Sequence, residues 1–190
     1  MSTELDRNNQ LVWAWGSNGV YSPKSAYTML AGGGEIKWSF VEIWSYKIPP
    51  SVRIFVFLLL RNGLLTHEVM VRRGFDIPPN CESCNRGAIE STLHLFFLCP
   101  KAVRLWERMA SILGVMLMHM DTTVQGTWQI SVSRAAAAGM RKKQWQAYFV
   151  STCWSIWKQR NKKIFEGQEV PLKVVEENIL QDAKLWLRLC

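Results

Sequence analysis

The sequence predicts a mainly α-helical protein, on three observations. Apolar residues recur at helical spacing over most of the chain. Helix-starting and helix-stopping residues punctuate it at Ser22-Pro23, Pro49-Pro50, Gly74, Gly167 and Pro171. Three of the five cysteines and one histidine crowd into residues 81–99. The expected architecture is a small helical domain with a short N-terminal β-hairpin and a cysteine-rich knuckle, followed by two C-terminal helices.

The hairpin is expected to join Leu11–Trp15 to Gly19–Tyr21 around Ser17-Asn18-Gly19, because Asn-Gly supplies the positive φ of a tight turn. Ser22 as N-cap and Pro23 at the first helical position open a helix that Gly32-Gly33-Gly34 stops. Trp38–Tyr46 has helical spacing and ends at Pro49-Pro50. Ser51 then caps Val52–Arg61, which is apolar almost all round and is expected to be a buried helix. Thr66 caps a short helix to Arg73, with Gly74 at its stop. After the knuckle, a helix is expected over 101–113, with Val103, Trp106 and Ile112 among its apolar positions. Residues 114–133 are expected to contain a loop. Arg134–Phe165 reads as one long helix, or two broken near Gly139. Leu172–Leu189 is a final amphipathic helix with Val175, Ile179, Ala183 and Trp186 on one stripe. The ten Trp residues are read as core, since Trp buries a large area and needs a partner for its indole N–H. The domain organisation read from this is 11–110, a linker at 111–133, and a helical extension at 134–190.

The formal net charge is +8. Residues 1–110 hold 12 Lys/Arg against 9 Asp/Glu, and residues 111–190 hold 11 against 6. No acidic residue lies between Asp121 and Glu166. Basic surface attracts nucleic acid or anionic membranes without regard to sequence. No signal peptide is visible, because residues 1–10 are polar and Leu11–Trp15 is too short for a hydrophobic region. The longest apolar run, Ile54–Leu60, is far short of the roughly 18–20 residues that cross a bilayer. The expectation is an intracellular protein, nuclear or cytoplasmic, not secreted and not in a membrane. Its cysteines are then not a disulfide framework.

The pattern Cys81-x2-Cys84-x9-His94-x4-Cys99 points to metal. A tight turn brings both sulfurs of a Cys-x2-Cys pair to one point, and a His and a Cys from the next element complete a tetrahedron. Three thiolates and an imidazole suit one structural Zn²⁺, which has no redox chemistry and acts as a staple. Ser91 or Thr92 can cap the turn into His94, and Leu95–Leu98 can wrap the site. The rival readings are four ordinary buried residues, or a thioredoxin-like redox pair. The latter lacks a surrounding βαβ pattern. Cys153 reads as a core thiol and Cys190 is uninformative. His67 and His119 read as surface or capping histidines.

A family resemblance rests on these residues. Trp44, Ile48-Pro49-Pro50, Val52-Arg53-Ile54-Phe55, Leu59-Leu60, Leu65-Thr66 and Arg73-Gly74 precede the first two cysteines. Glu90-Ser91, His94-Leu95-Phe96 and Cys99-Pro100 follow. In that order they resemble the zinc-binding domain that follows the reverse transcriptase in plant LINE-type retrotransposon polyproteins. Tyr21-Ser22-Pro23-Lys24-Ser25-Ala26-Tyr27 is similar to that domain's opening. Phe57 stands where the family usually has Trp. Trp154-x-Ile156-Trp157-x2-Arg160-Asn161-x3-Phe165 resembles the helical segment that links the domain to ribonuclease H. The resemblance implies a module that helps hold template RNA or target DNA near a polymerase. The sequence has no Asp-Asp pair like a polymerase metal site and no ribonuclease H carboxylate set. It therefore looks like the piece between two enzymes, either a relic or a fragment.

Three functions follow. The first is a zinc-stapled module binding RNA or DNA through Arg134–Lys163, with Arg141, Lys142, Lys158, Arg160 and Lys162 as phosphate contacts, and Trp145, Trp154 and Trp157 as candidate stacking platforms. The second is a structural module docking on a reverse transcriptase or ribonuclease H partner. The third is an enzyme, with Glu90 as a base. It is disfavoured because all four zinc positions are filled and Glu90 suits capping or support of a ligand.

Overall fold

The computed structural model describes residues 3–5, 11–13, 48–84, 86–116 and 123–188. The chain divides into two compact units, Met1–Ser45 and Tyr46–Cys190. In the first, strand β1 (Thr3–Leu5) pairs antiparallel with β2 (Leu11–Trp13), in the register Thr3 to Trp13. The hairpin expected around Ser17-Asn18-Gly19 is not supported: its turn and second arm lie outside the described residues, and the pairing found for Leu11–Trp13 is with upstream residues. The helices expected over 22–30 and 38–46 also lie outside them, as do the Tyr21–Tyr27 motif, His119 and Cys190.

The second unit is helical. Helix α1 spans Pro50–Leu60, α2 His67–Arg72, α3 Pro100–Leu113, α4 Val124–Ala137, α5 Lys142–Glu166 and α6 Leu172–Arg188. Pro50 occupies the first turn of α1 and Pro100 that of α3, where a missing N–H costs nothing. Ser51 is therefore inside α1, not its cap. The exit from α1 is taken by Asn62 in the left-handed region (φ 50°), a conformation Asn tolerates better than most residues. Gly114 and Gly167 end α3 and α5 in that same conformation.

Two expectations are corrected. Helix α1 is not buried all round: Val52, Phe55, Val56, Leu59 and Leu60 are buried, while Ile54 is 55% exposed. Helix α4 begins at Val124, inside the stretch expected to contain a loop, so three helices follow α3 where two were expected. Thr123 caps it, its hydroxyl accepting from Gly126 N–H at 3.0 Å. The Arg134–Phe165 stretch is two helices, broken near Gly139 (φ 78°) as its second reading allowed. On α6 the stripe Val175, Ile179, Ala183 and Trp186 is buried, as the spacing requires.

The core is aromatic. Phe149 of α5 sits 4.8 Å from Trp128, 5.1 Å from Trp106 and 6.0 Å from Phe97, centroid to centroid. Phe55 meets Trp154 edge-on at 5.1 Å, and Phe96 stacks on Trp157 at 6.4 Å. Two buried indoles find carbonyl or hydroxyl partners: Trp106 donates to the Phe96 carbonyl at 2.8 Å, and Trp145 to Ser131 Oγ at 3.0 Å. The Gln125 side-chain amide donates to the Leu60 carbonyl, holding α4 against the end of α1. Arg108 of α3 forks onto Glu176 of α6 at 2.9 and 3.3 Å. The five-residue connection 167–171 turns α6 back along α5, where Lys158 reaches Asp182 at 3.4 Å.

One buried ion pair joins the knuckle to α5. Arg160 and Glu90 are 3% and 0% exposed at the side chain and 2.7 Å apart. Glu90 Oε1 accepts from Arg160 Nε and Nη2 and from His67 N–H. The guanidinium also lies over the Trp157 ring at 5.1 Å. Removing one partner strands a buried charge, so E90A or R160A is expected to destabilise the protein by about 3–5 kcal/mol in urea unfolding. The apolar double variant E90L/R160M is expected to lose less than either single variant.

Candidate metal centre

The knuckle is built from a closed loop and a widened helical turn. Cys81 N–H donates to the Ala88 carbonyl and Glu90 N–H to the Pro79 carbonyl, both at 2.8 Å. An isolated bridge between Asn80 and Ile89 closes the loop base, and Gly87 (φ 72°) makes its return. This loop carries Cys81 and Cys84. The other pair comes from His94–Leu98, a single π-helical turn in which Cys99 N–H donates to the His94 carbonyl at 2.6 Å. The extra residue of a π turn brings His94 and Cys99, five apart, onto the same side of the element. Ser91 Oγ accepts from His94 N–H at 3.0 Å, the capping role expected of Ser91 or Thr92. Leu95, Phe96 and Phe97 are buried behind the turn, while Leu98 faces out.

The four candidate ligand atoms all lie within 4.8 Å of one another. His94 presents Nε2 to Cys84 Sγ at 3.5 Å. A tetrahedral zinc with ~2.3 Å bonds to sulfur needs ligand atoms about 3.8 Å apart. The set is gathered, about 1 Å looser at its widest than a metal would draw it, which side-chain rotation can close. No cysteine among the four is held in a disulfide. Cys81 and Cys99 are nearly inaccessible. The Cys81 thiol is pushed well above the usual range, first by its hydrogen bond with Cys99 and then by burial. Cys99 is pushed down by the same bond and by the backbone N–H groups of Lys101 and Ala102 at the start of α3. Three soft sulfurs and an imidazole are a donor set that fits a divalent soft-to-borderline cation. Among the described residues this is the one group of three or more His, Cys, Asp or Glu side chains able to hold a metal ion.

The remaining sequence candidates are dispersed. Arg141 and Lys142 are exposed at the start of α5. Lys158 is exposed, paired with Asp182 and 5.8 Å over Trp154. Lys162 is half-buried. Arg160, expected on this basic face, is instead buried on Glu90, so it is withdrawn as a phosphate contact. The five positions span about 30 Å of helix and do not share one face. Trp145 is buried, and Trp154 and Trp157 are committed to Phe55 and Phe96, so the three pack rather than stack on bases. His67 is buried, not a surface residue: Nδ1 donates to the Asn80 carbonyl at 2.9 Å. Glu90 is the residue whose role sequence reasoning underrated, since its basic partner lies 70 positions away. Cys153 is the expected core thiol, with burial raising its pKa.

Fold and site together define a helical protein stapled by a three-cysteine, one-histidine metal knuckle. Residues 21–106 match the family described as zinc-binding in reverse transcriptase, which supports a retrotransposon-type zinc domain here, with a three-cysteine, one-histidine cluster able to hold one metal ion. The chain is 25% identical over 167 residues to an Arabidopsis thaliana protein named "Putative ribonuclease H protein". The alignment covers 83% of this chain and 25% of that relative, so the chain spans about a quarter of the relative's length. No solved structure matches the chain. No helix among the described residues is long and apolar enough to cross a membrane.

Purified protein is expected to contain one zinc per chain by elemental analysis. Cys84→Ser is expected to lose that zinc and to lower the thermal midpoint, because metal binding and folding are coupled. Protein that keeps its midpoint after chelation would contradict the staple.

Proposed function

We propose that Cys81, Cys84, His94 and Cys99 bind one structural zinc, and that the chain is a non-catalytic module that holds RNA or DNA through its basic surface. The observation that carries the reading is the convergence of four side chains, enough to complete a tetrahedral zinc site without a water. Closed four-ligand sites are structural, whereas catalytic zinc keeps a position for water. Glu90, the one candidate base in the knuckle, is buried on Arg160 and His67 and is unsuited to proton transfer with a substrate. Polymerase or ribonuclease chemistry needs carboxylates around paired divalent ions.

Nucleic-acid binding is supported by charge. The stretch between Asp121 and Glu166 is free of acid. Arg141, Lys142 and Lys143 gather at the positive end of α5 with no acidic residue in its first turn, an arrangement that a phosphate relieves. Helices α5 and α6 form the scaffold for these charges, and Glu90 ties that scaffold to the zinc knuckle. The partner is a nucleic acid in the nucleus or cytoplasm, held close to a reverse transcriptase or ribonuclease H.

A second reading, docking on such an enzyme, is favoured by exposed apolar side chains such as Phe165 at 76% and Phe75 at 57%. Salt separates the two. Titration of RNA and duplex DNA at two salt concentrations is expected to show binding that weakens steeply as salt rises. Arg141→Ala/Lys142→Ala is expected to flatten the log–log salt slope by roughly 0.7–0.9 for each phosphate left without its cation. Absence of binding at low salt would favour the docking reading.

A further inference from the structure

A cavity of about 450 Å³ opens beside the zinc knuckle, between α3, α5 and the start of α6. Its lining includes Ser83, between the two loop cysteines, and Cys99. Lys101, Arg104 and Lys163 contribute three cationic groups from two different helices. Leu105, Ile156 and Val175 add apolar wall. The volume suits one nucleotide-sized unit, and an apolar wall with a few convergent polar groups is the usual make-up of a ligand site.

The cations converge on one carboxylate. Lys101 Nζ and Lys163 Nζ both donate to Glu169 Oε1, at 2.7 and 2.8 Å. Two ammonium groups share a single oxygen, and Arg104, itself close to Glu176, adds a third positive charge. Glu82 supplies a further negative charge near Lys163. The paired lysines hold the Glu169 carboxyl down to about 2. Glu169 lies on the 167–171 connection and is 57% exposed at the side chain. It is held there by exposed ion pairs with Lys101 and Lys163. Exposed pairs of this kind are weak, so a strand that brings several phosphates can displace it.

We propose that Lys101, Lys163 and Arg104 form a phosphodiester-binding site for a nucleic-acid strand at the mouth of this cavity, and that Glu169 is its built-in competitor. The proposal rests on the nucleic-acid reading above but places the contact beside the zinc knuckle instead of at the start of α5. It also gives the zinc a direct bearing on binding, because Ser83 and Cys99 form part of the cavity wall.

The test uses zinc-loaded full chain and fluorescein-labelled single-stranded RNA and duplex DNA, read by anisotropy at two salt concentrations. Glu169→Gln removes the competitor and is expected to tighten binding of both by about three- to fivefold, the scale of a surface ion pair. Lys101→Ala/Lys163→Ala is expected to weaken both and to flatten the salt slope by roughly 1.4–1.8, since two phosphates go without a cation. Thermal midpoint and zinc content are measured on each variant. An unchanged thermal midpoint and zinc content establish that E169Q is folded before its affinity is read. Weaker or unchanged binding by folded E169Q overturns the proposal. So does unchanged affinity in K101A/K163A when R141A/K142A lowers it, and in that case the nucleic-acid reading survives without this site. Wild-type protein that binds neither probe at low salt overturns both.

Discussion

The buried pair of Glu90 and Arg160 is the constraint on which the arrangement of this protein turns. Taking two charges out of water costs several kcal/mol each, and attraction offsets this only when geometry is good and hydrogen bonds complete the shell. Here Oε1 accepts three donors, two from the guanidinium and one from His67 N–H, while Oε2 is buried with no hydrogen-bond partner. Glu90 sits in the loop that carries the first two cysteines, and His67 begins α2. Arg160 belongs to the long helix α5. One carboxylate oxygen thus fixes three segments in one register. An apolar contact at this point would tolerate sliding, whereas three directed hydrogen bonds on one carboxylate oxygen tolerate it less.

The zinc knuckle and the aromatic core lie on either side of that pair and depend on it in different ways. The loop over 81–88 has few buried side chains of its own, and Cys81 is its main anchor. It needs the metal to hold the loop to the π turn. The π turn in turn sends Leu95, Phe96 and Phe97 into the core, where Phe97 and Trp106 stack at 6.0 Å beside Phe149. Helix α5 closes the circuit, because Phe149 and Trp157 meet those rings and Arg160 meets Glu90. On this account loss of metal is transmitted into α5, which carries six of the chain's 23 Lys and Arg residues.

Much of the knuckle was legible in the sequence, for a local reason. Cys81, Cys84, His94 and Cys99 lie within nineteen residues, so their spacing alone constrains where they can meet. The α6 stripe was legible because 3.6-residue periodicity is a property of one element. The break at Gly139 was legible because glycine takes a positive φ without steric cost. What failed was long-range. Arg160 looked like one more surface cation in an acid-free stretch, and only the fold brings Glu90 to it. The side of α1 carrying Ile54 looked buried because composition reports hydrophobicity and not which neighbours are present. The start of α4 was missed because Gln125, Gly126, Thr127, Gln129, Ser131 and Ser133 mask its apolar stripe. That helix is held instead by the Thr123 cap and by packing of Trp128 on Phe149.

The central claim is that zinc knuckle and α5 are one cooperative unit coupled through Glu90 and Arg160. Hydrogen exchange read peptide by peptide, with and without chelation of the zinc, tests it most directly. The account predicts that peptides over 81–99 and over 150–163 lose protection together when zinc is removed. Protection over 150–163 that stays intact while 81–99 opens would contradict it.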